Sequence, residues 1–296
     1  MAIPTSRVSW EKLLLLRLEA FVQLPWLIHG FSTRSGGISK AYGGDALNLG
    51  YTKHDSRAAV DANRGRLLQS IGAAGRDGTL WPLVRLRQIH SDIIHRVDTV
   101  PADLLSGDGL VTDAGHLILA VQTADCFPIL LVDHKQKAVG ALHAGWRGTL
   151  GRIVEKGVGR MRMQFGSNPN HLSAAIGPGI AACCYAVGEE VRDQFHTQFT
   201  YADQLFREVN ESDPVRQRYP LLFMTARAPG HSDAGKTIYL DLREANRRQL
   251  LAAGIRPDKI HLLDFCTACR TDLFFSHRAE RGVAGRQMGV IGISRS

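Results

Sequence analysis

Apolar and polar positions along the chain follow two periods, one helical and one extended. The segment from Asp55 to Gly72 keeps its apolar side chains to one face and lies between residues suited to helix caps, so it predicts an amphipathic helix. Helical composition also marks segments 149–165, 187–199 and 241–253. Short apolar or β-branched runs bounded by Gly, Asp or Pro predict strands. These runs are 85–97, 117–122, 129–133, 138–143, 171–176, 237–240, 260–263, 274–277 and 288–293.

The order of these elements predicts one domain of the α/β type (α+β), with mixed β-sheets covered by helices. No internal repeat of ~20–50 residues is present, which excludes solenoids and propellers. Residues 1–28 lack a recognisable motif and are expected to form an N-terminal extension, with residues 29–296 as the domain. Residues 200–236 are polar and contain three prolines, and we expect them to form a surface excursion within that domain.

Length and composition are those of a folded globular chain. The chain has 296 residues, of which 44% are hydrophobic and 22% charged, enough to bury a sizeable core. Lysine and arginine number 36 and aspartate and glutamate 28, which gives a formal charge of +8 and suits an anionic partner. The positive charge is dispersed, without a run of five basic residues, so nucleic acid is not the expected partner.

Hydropathy predicts neither a membrane span nor a secretion signal. The longest apolar stretch, 117–132, contains Asp125 and Pro128 and falls short of the ~20 apolar residues that a membrane helix needs. Near the N-terminus, charged residues flank Leu13 to Leu16, which leaves no signal-peptide core of ~7–15 apolar residues. We therefore expect a cytoplasmic protein without membrane association, and we expect a monomer.

Five cysteines, an odd number in a chain without an export signal, argue against a disulfide framework. Three interpretations of the cysteines stay open: reduced thiols, metal ligands and a catalytic nucleophile. The candidate chemistry lies in three separated segments, each at a strand end or turn. They are Gln88-Ile-His90, Thr123-Ala-Asp-Cys126 and Leu142-His-Ala-Gly-Trp-Arg-Gly148.

One thiol and two imidazoles, from Cys126, His90 and His143, are a ligand set that a catalytic zinc ion prefers, with a fourth position open for water or substrate. In an alternative interpretation, Cys126 is a nucleophile and one histidine is its general base, without a metal. A multicopper oxidase would need many more ligands and His-x-His pairs, which the sequence lacks. Asp125, beside Cys126, is a candidate for orienting a ligand.

Arg147 is predicted near the start of a helix, where a guanidinium suits phosphate or carboxylate. The alternative is a surface arginine stacked on Trp146. Glycine-rich loops occur elsewhere, but none has a Walker or Rossmann pattern, so nucleotide binding through those motifs is not predicted.

A series of motifs, in order over residues 29–293, resembles the YfiH family, also called the laccase-domain or multicopper polyphenol oxidase family. The motifs are His29-Gly-Phe-Ser-Thr-Arg34-Ser-Gly-Gly37, Leu47-Asn-Leu-Gly50, Asn63-Arg64, Arg87-Gln-Ile-His90, Gly107-Asp-Gly109, Thr123-Ala-Asp-Cys126, His143-Ala-Gly-Trp-Arg-Gly148, Ile176-Gly-Pro178, Cys184-Tyr185, Asp241-Leu242, Phe275-Ser-His-Arg278 and Gly285-Arg286.

The resemblance implies a YfiH-like, cysteine-hydrolase-like fold and a zinc site formed by His90, Cys126 and His143, with copper as the alternative metal. It also implies phosphorolysis of adenosine, inosine, guanosine and methylthioadenosine, together with adenosine deamination, so purine nucleosides and phosphate are the expected partners. Two alternatives stay open: the peptidoglycan editing factor, an amidase that removes L-serine from a UDP-N-acetylmuramoyl precursor, and a copper-dependent polyphenol oxidase. We expect substrate contacts from Arg34, Asn48, Gln88, Arg147 and Arg286.

Overall fold

The computed structural model describes residues 8–10, 15–210 and 236–294. They form two compact units. The larger comprises the described residues up to Ala181 and those from Leu242 onward, and the smaller lies within Ala182–Asp241. The larger unit contains two mixed sheets covered by helices, which confirms the expected fold class.

The first sheet of the larger unit has six strands. In spatial order they are β1 (Val8–Trp10), β2 (Leu15–Leu18), β3 (Leu27–Ser32), β16 (Gln287–Ile293), β8 (Ile118–Thr123) and β5 (Leu83–Val84). Neighbouring strands are antiparallel, except for the parallel pair of β5 and β8. A short strand, β4 (Ser35–Ser39), follows β3 and forms bridges to Ala46.

The second sheet also has six strands. In spatial order they are β15 (Ile260–Leu262), β11 (Leu172–Ile176), β9 (Phe127–Asp133), β10 (Ala138–Ala144), β7 (Gly109–Thr112) and β6 (Ile94–Arg96). The two edge pairs, β15 with β11 and β7 with β6, are parallel, and the central strands are antiparallel.

The two sheets pack against each other because the strand period sends alternate side chains to opposite faces. In β8, Leu119 and Val121 join the core that also contains Leu130 and Val132 of the second sheet. The residue between them, Ala120, lies in a different cluster on the opposite face. A continuous apolar core therefore separates the sheets, and the site described below lies at one end of their strands.

Helices cover the outer faces. In the larger unit they are α1 (Glu19–Val22), α2 (Arg57–Ser70), α3 (Trp146–Leu150), α4 (Ile153–Phe165) and α6 (Leu242–Ala252). Helix α2 buries Leu67 and Leu68 against Ile118 and Val290 of the first sheet. Its N-cap is Ser56, whose side chain accepts a hydrogen bond from the backbone N–H of Ala59. None of the described helices combines the length and hydropathy needed to cross a bilayer.

The smaller unit is built on a three-stranded antiparallel sheet. Its strands, in spatial order, are β12 (Ala186–Val187), β14 (Lys236–Leu240) and β13 (Phe206–Asn210), and its helix is α5 (Glu189–Gln198). The polar excursion expected over 200–236 thus contributes strand β13 to this unit. Residues 211–235 of that excursion lie outside the described residues.

One predicted strand is mostly a loop in the structure, and another is entirely a loop. The run 85–97 is extended only at its end, in β6, and the residues before it form a loop. The run 274–277 has no strand, because Phe275 donates its N–H to the Gln287 side chain at 2.8 Å and accepts from the same amide at 3.2 Å. The side chain of Gln287 therefore makes the backbone hydrogen bonds with Phe275 that a neighbouring strand would otherwise make.

Two predicted boundaries also differ from the structure. The helix expected over 149–165 is interrupted at Arg152, whose φ of +62° is left-handed, so α3 and α4 are separate. The N-terminal extension expected over 1–28 is part of the first sheet where it is described. Its side chains Leu15, Leu16 and Phe21 are fully buried, so this segment contributes to the core.

Candidate active site

Three candidate ligands that are far apart in sequence lie together in the larger unit. His90 lies in the loop between β5 and β6, Cys126 in the turn between β8 and β9, and His143 near the end of β10. One ligand atom from each residue lies within 4.8 Å of the other two. The rings of His90 and His143 meet edge to face, with centroids 5.0 Å apart. The fold therefore brings together the cysteine and the two histidines predicted from the sequence.

The pairing of β9 with β10 places Cys126 next to the residues that follow His143. His143 is opposite Pro128 and Ala144 is opposite Phe127, so the turn containing Cys126 meets Gly145. A Cβ atom at Gly145 would lie 2.9 Å from the Cys126 sulfur and 3.1 Å from Cδ2 of His90. The glycine after this strand is thus required for the three side chains to converge.

Asp108 supports both histidines. Its carboxylate is fully buried and accepts a hydrogen bond from Nδ1 of His143 at 2.8 Å. It also accepts from the backbone N–H groups of Ile89, His90 and Ser91, and from the Ser91 hydroxyl. One carboxylate therefore fixes the ring of His143 and the backbone of the loop that carries His90.

Sequence reasoning missed this role of Asp108, although Gly107-Asp-Gly109 belongs to the motifs quoted above. It nominated Asp125 for the role, and the structure corrects that interpretation. The Asp125 carboxylate accepts from the Thr267 hydroxyl and from the Arg278 backbone N–H, both at 2.7 Å. With a φ of +98°, Asp125 shapes the turn before Cys126 and ties it to two distant loops.

His90 is the exposed member of the group. Its φ of +58° lies in the left-handed region. Asp108 anchors the loop there by accepting the backbone N–H groups of His90 and of its two neighbours, Ile89 and Ser91. His143 is buried and Cys126 is partly exposed. The group therefore opens toward solvent on the side of His90, where a substrate or water could approach.

The protonation states of Cys126, His143 and Asp108 depend on one another. Burial raises the pKa of the Cys126 thiol, but the charges of His143 and His90 and their hydrogen bonds outweigh it and lower the pKa below that of a free thiol. Burial lowers the pKa of His143, and the Cys126 thiolate and Asp108 raise it above the usual value. Burial also raises the pKa of Asp108, but hydrogen bonds from His143 and Ser91 bring it to about 2. The two shifts favour a Cys126 thiolate beside a protonated His143 ring.

The donor set fits a metal ion. Two imidazoles and a thiolate suit zinc or copper. The bond from Nδ1 of His143 to Asp108 leaves Nε2 of this ring for a ligand, the arrangement typical of histidines that bind metals. Asp108, Gly145 and the turn at Asp125 hold the three donors in place.

Two of the expected substrate contacts, Gln88 and Arg147, lie in the segments that carry the histidines. The Gln88 amide donates to the backbone carbonyl of Gln122 at 2.8 Å and accepts from its N–H at 2.7 Å, so it joins the His90 loop to β8. Arg147, in α3, is exposed, and its guanidinium lies 4.4 Å from the ring centroid of Trp146. The stacking considered from the sequence is therefore present.

The other three expected contacts, Arg34, Asn48 and Arg286, are occupied by protein partners. The Asn48 amide bonds to Gly50, Asp55 and the backbone N–H of Arg286. The Arg286 guanidinium donates to two adjacent backbone carbonyls, and Arg34 donates to three backbone carbonyls and to a carboxylate. These acceptors are Ala284 and Gly285 for Arg286, and Thr271, Phe274, Tyr42 and Glu280 for Arg34.

Comparison with known proteins then assigns the chain. The family described as multi-copper polyphenol oxidoreductase laccase matches residues 28–294. The chain belongs to this family. The YfiH resemblance stated from the motifs is thereby confirmed, since the laccase family and the YfiH family are two names for one group.

Relatives in the laccase family carry the names of nucleoside enzymes. A purine nucleoside phosphorylase of Deinococcus radiodurans is 36% identical over 269 residues, which cover 90% of this chain and 89% of that protein. An adenosine deaminase from an unknown prokaryotic organism is 33% identical over 261 residues, covering 85% of this chain and 88% of that protein. The crystal structure of a Bacillus licheniformis hypothetical protein YfiH superposes with a TM-score of 0.79 at 32% identity, covering 97% of this chain and 99% of that one.

Proposed function

We propose that this protein is a zinc-dependent purine nucleoside enzyme that cleaves adenosine, inosine, guanosine and methylthioadenosine with phosphate and also deaminates adenosine. The observation that carries the proposal is the open group of His90, Cys126 and His143, braced by buried Asp108. Three donors with a fourth position open are typical of catalytic zinc, whereas structural zinc has four protein ligands. The names of the family relatives supply the substrate class.

Each residue of the group has a defined task in this proposal. Cys126, His90 and His143 would hold the ion, and zinc supplies Lewis acidity at that position. Asp108 keeps the proton of His143 on Nδ1, so that Nε2 faces the site. The left-handed backbone at His90 and the missing side chain at Gly145 allow the three ligand side chains to come together.

Phosphorolysis also needs an anion held beneath C1′ of the ribose while positive charge develops on the sugar. Arg147 lies four residues after His143 in the chain and has an exposed guanidinium. Its fork geometry suits phosphate. We therefore assign Arg147 the role of binding the phosphate. Arg147→Gln should then raise KM for phosphate more than KM for the nucleoside.

The experiment is a product assay on zinc-loaded protein. Adenosine is supplied with and without phosphate, and adenine, inosine and hypoxanthine are separated by chromatography. The proposal expects phosphate-dependent adenine, phosphate-independent inosine, and loss of both in Cys126→Ala and His90→Ala. His54→Ala, which changes another exposed histidine, is the matched control and should keep full activity. Full activity in a zinc-free Cys126→Ala protein would overturn the proposal.

A second candidate is the amidase that removes L-serine from UDP-N-acetylmuramoyl-L-serine. The observation that favours it is the pairing of a Cys126 thiol of lowered pKa with a His143 of raised pKa. In this reaction the Cys126 thiolate attacks the amide carbonyl, and His143 donates a proton to the departing amine of serine. Water then hydrolyses the thioester on Cys126, which releases the carboxylate and restores the thiol. Serine release from that precursor, without turnover of adenosine, would select the amidase. Metal analysis of the purified protein would decide between zinc and copper, the metal of the oxidase alternative.

A further inference from the structure

Three arginines surround one partly exposed tyrosine outside the site described above. Tyr51 follows β4 in the chain and precedes α2, and 37% of its surface is exposed. The guanidinium carbons of Arg64, Arg57 and Arg85 lie 4.1, 4.6 and 5.1 Å from the centroid of its ring. We call these four residues the Tyr51 cluster.

The innermost arginine is held by the protein itself. Arg64 is 8% exposed, and its Nε and Nη2 donate to the carbonyl of Leu49 at 3.0 and 2.8 Å. Burial and, more weakly, the charge of Arg85 lower the pKa of Arg64, while Tyr51 and Asp61 oppose this shift. The guanidinium charges are therefore close enough to repel each other.

The positive charge of the cluster exceeds the negative charge beside it. Asp61 lies 3.7 Å from Nη1 of Arg64 and accepts the hydroxyl proton of Tyr51, but its own side chain is 58% exposed. Among the residues that the structure describes, neither Arg57 nor Arg85 forms an ion pair with a carboxylate. Three cations against one exposed anion give the cluster an excess of about two positive charges, counted over the residues that the structure describes.

We propose that the Tyr51 cluster binds a phosphate group. Guanidinium forks match phosphate oxygens in pairs, and a preformed set of them lowers the entropy cost of binding. Tyr51 keeps Arg57 and Arg85 in place through the faces of its ring, while Arg64 is fixed by Leu49. The ligand is either free inorganic phosphate or the phosphate of a small ester such as AMP.

This site is independent of the proposed catalytic chemistry, since none of its residues belongs to the group of Cys126. Gly50, the residue before Tyr51, lies close to strand β8, because a Cβ atom on Gly50 would be 2.9 Å from Oε1 of Gln122 in that strand. Gln122 is also the residue whose backbone holds Gln88 of the His90 loop. The residue next to the Tyr51 cluster therefore lies close to the strand that holds the His90 loop, while the cluster itself supplies no ligand to the site.

The test measures the unfolding midpoint of the metal-stripped Cys126→Ala protein against the concentration of inorganic phosphate, AMP or adenosine. Sodium chloride keeps the ionic strength constant, so that general screening does not contribute. The variant is Arg57→Gln with Arg85→Gln. The matched control is Arg207→Gln, which removes an exposed arginine lying 5.2 Å from the ring centroid of Tyr239. Within the described part of the chain, Arg207 is the one cation at that ring.

We expect phosphate to raise the midpoint of the parent protein and of the control. In the double variant, the half-saturating phosphate concentration should rise by about tenfold or more, the loss expected for one charge-assisted hydrogen bond. An equal response to phosphate and AMP would support free phosphate as the ligand, and a response to AMP alone would support an ester.

The same phosphate dependence in the double variant and the parent would overturn the proposal, as would stabilisation by adenosine that the double variant loses equally. Circular dichroism of the double variant checks that it is folded. Because the assay uses protein without Cys126 or metal, its outcome is separate from that of the catalytic assay.

Discussion

Nδ1 of His143 lies 2.8 Å from Oδ1 of Asp108, and the same carboxylate accepts the backbone N–H groups of residues 89–91. Two elements of the candidate site, strand β10 and the His90 loop, therefore depend on one buried side chain. Because Asp108 accepts every one of these bonds, any loss of acceptor capacity affects both histidines together. This relationship leads to the first prediction.

Asp108→Asn should weaken metal binding without removing a ligand. The amide offers one acceptor oxygen in place of two and presents N–H groups to donors that the carboxylate satisfied. We expect zinc affinity to fall by about 10–100-fold, measured by competition with a chromophoric chelator. Asp98→Asn, which alters an exposed carboxylate paired with Arg96, is the control and should leave the affinity unchanged. Equal zinc affinity in the wild type and Asp108→Asn would contradict this role.

Gly145→Ala should impair the site only because the added methyl group occupies space that the ligand side chains need. The backbone at Gly145 is extended, with φ of −82° and ψ of 172°, so alanine is compatible with its conformation. The new methyl group would press on the Cys126 sulfur and the His90 ring, and we expect lower zinc affinity and lower turnover. Gly159→Ala is the matched control, since a Cβ atom there meets open space in α4. It should stabilise the protein by ~0.5–1 kcal/mol, and denaturant unfolding checks that value.

His29 should make the fold sensitive to acid. Burial first, and then the charge of Arg17, lower the pKa of His29 to about 3 in the folded protein, against 6.5 for a free histidine. Its Nε2 accepts the N–H of Leu18 at 3.1 Å, which requires the neutral ring. Between pH 6.5 and 3 the unfolded chain binds a proton that the folded protein does not. The free energy of unfolding should therefore fall with decreasing pH, by at most about 1.4 kcal/mol per unit from this residue.

In His29→Gln the amide oxygen can still accept from Leu18 and does not titrate. Urea unfolding measured from pH 7 to pH 4 should show a smaller loss of stability than in the wild type. His54→Gln, an exposed histidine, should follow the wild-type curve. The assignment fails if all three proteins lose the same free energy over this range.

Asp125→Ala should loosen the turn before Cys126. It removes the acceptor of two hydrogen bonds, from Thr267 and Arg278, and places alanine at a φ of +98°. We expect a loss of roughly 2–4 kcal/mol of stability, with a fall in zinc affinity because the Cys126 sulfur is no longer held. Asp125→Asn, which tolerates positive φ better and keeps one acceptor, should lose less on both measures. Equal losses in the two variants would contradict the account of this turn.

Local patterns were sufficient for much of the scaffold and for the reacting groups. The helix over 57–70 and the apolar runs of β8, β9, β10, β11 and β16 follow from period and propensity, which act over a few residues. Likewise, a cysteine and two histidines at strand ends or turns are enough to indicate a thiolate–imidazole group from the sequence. These features are local because backbone conformation and face selection depend on neighbouring side chains.

The tertiary structure decided which polar groups meet. Residues 89–91 have apolar neighbours that suggested a strand, but Asp108 binds their N–H groups and holds them as a loop. Phe275 likewise bonds to the side chain of Gln287 in place of a strand. Both partners are more than ten residues away, and hydrogen bonds of buried polar groups are satisfied wherever the fold brings a partner within reach. The choice of Asp108 over Asp125 as the support of the site was therefore decided by packing.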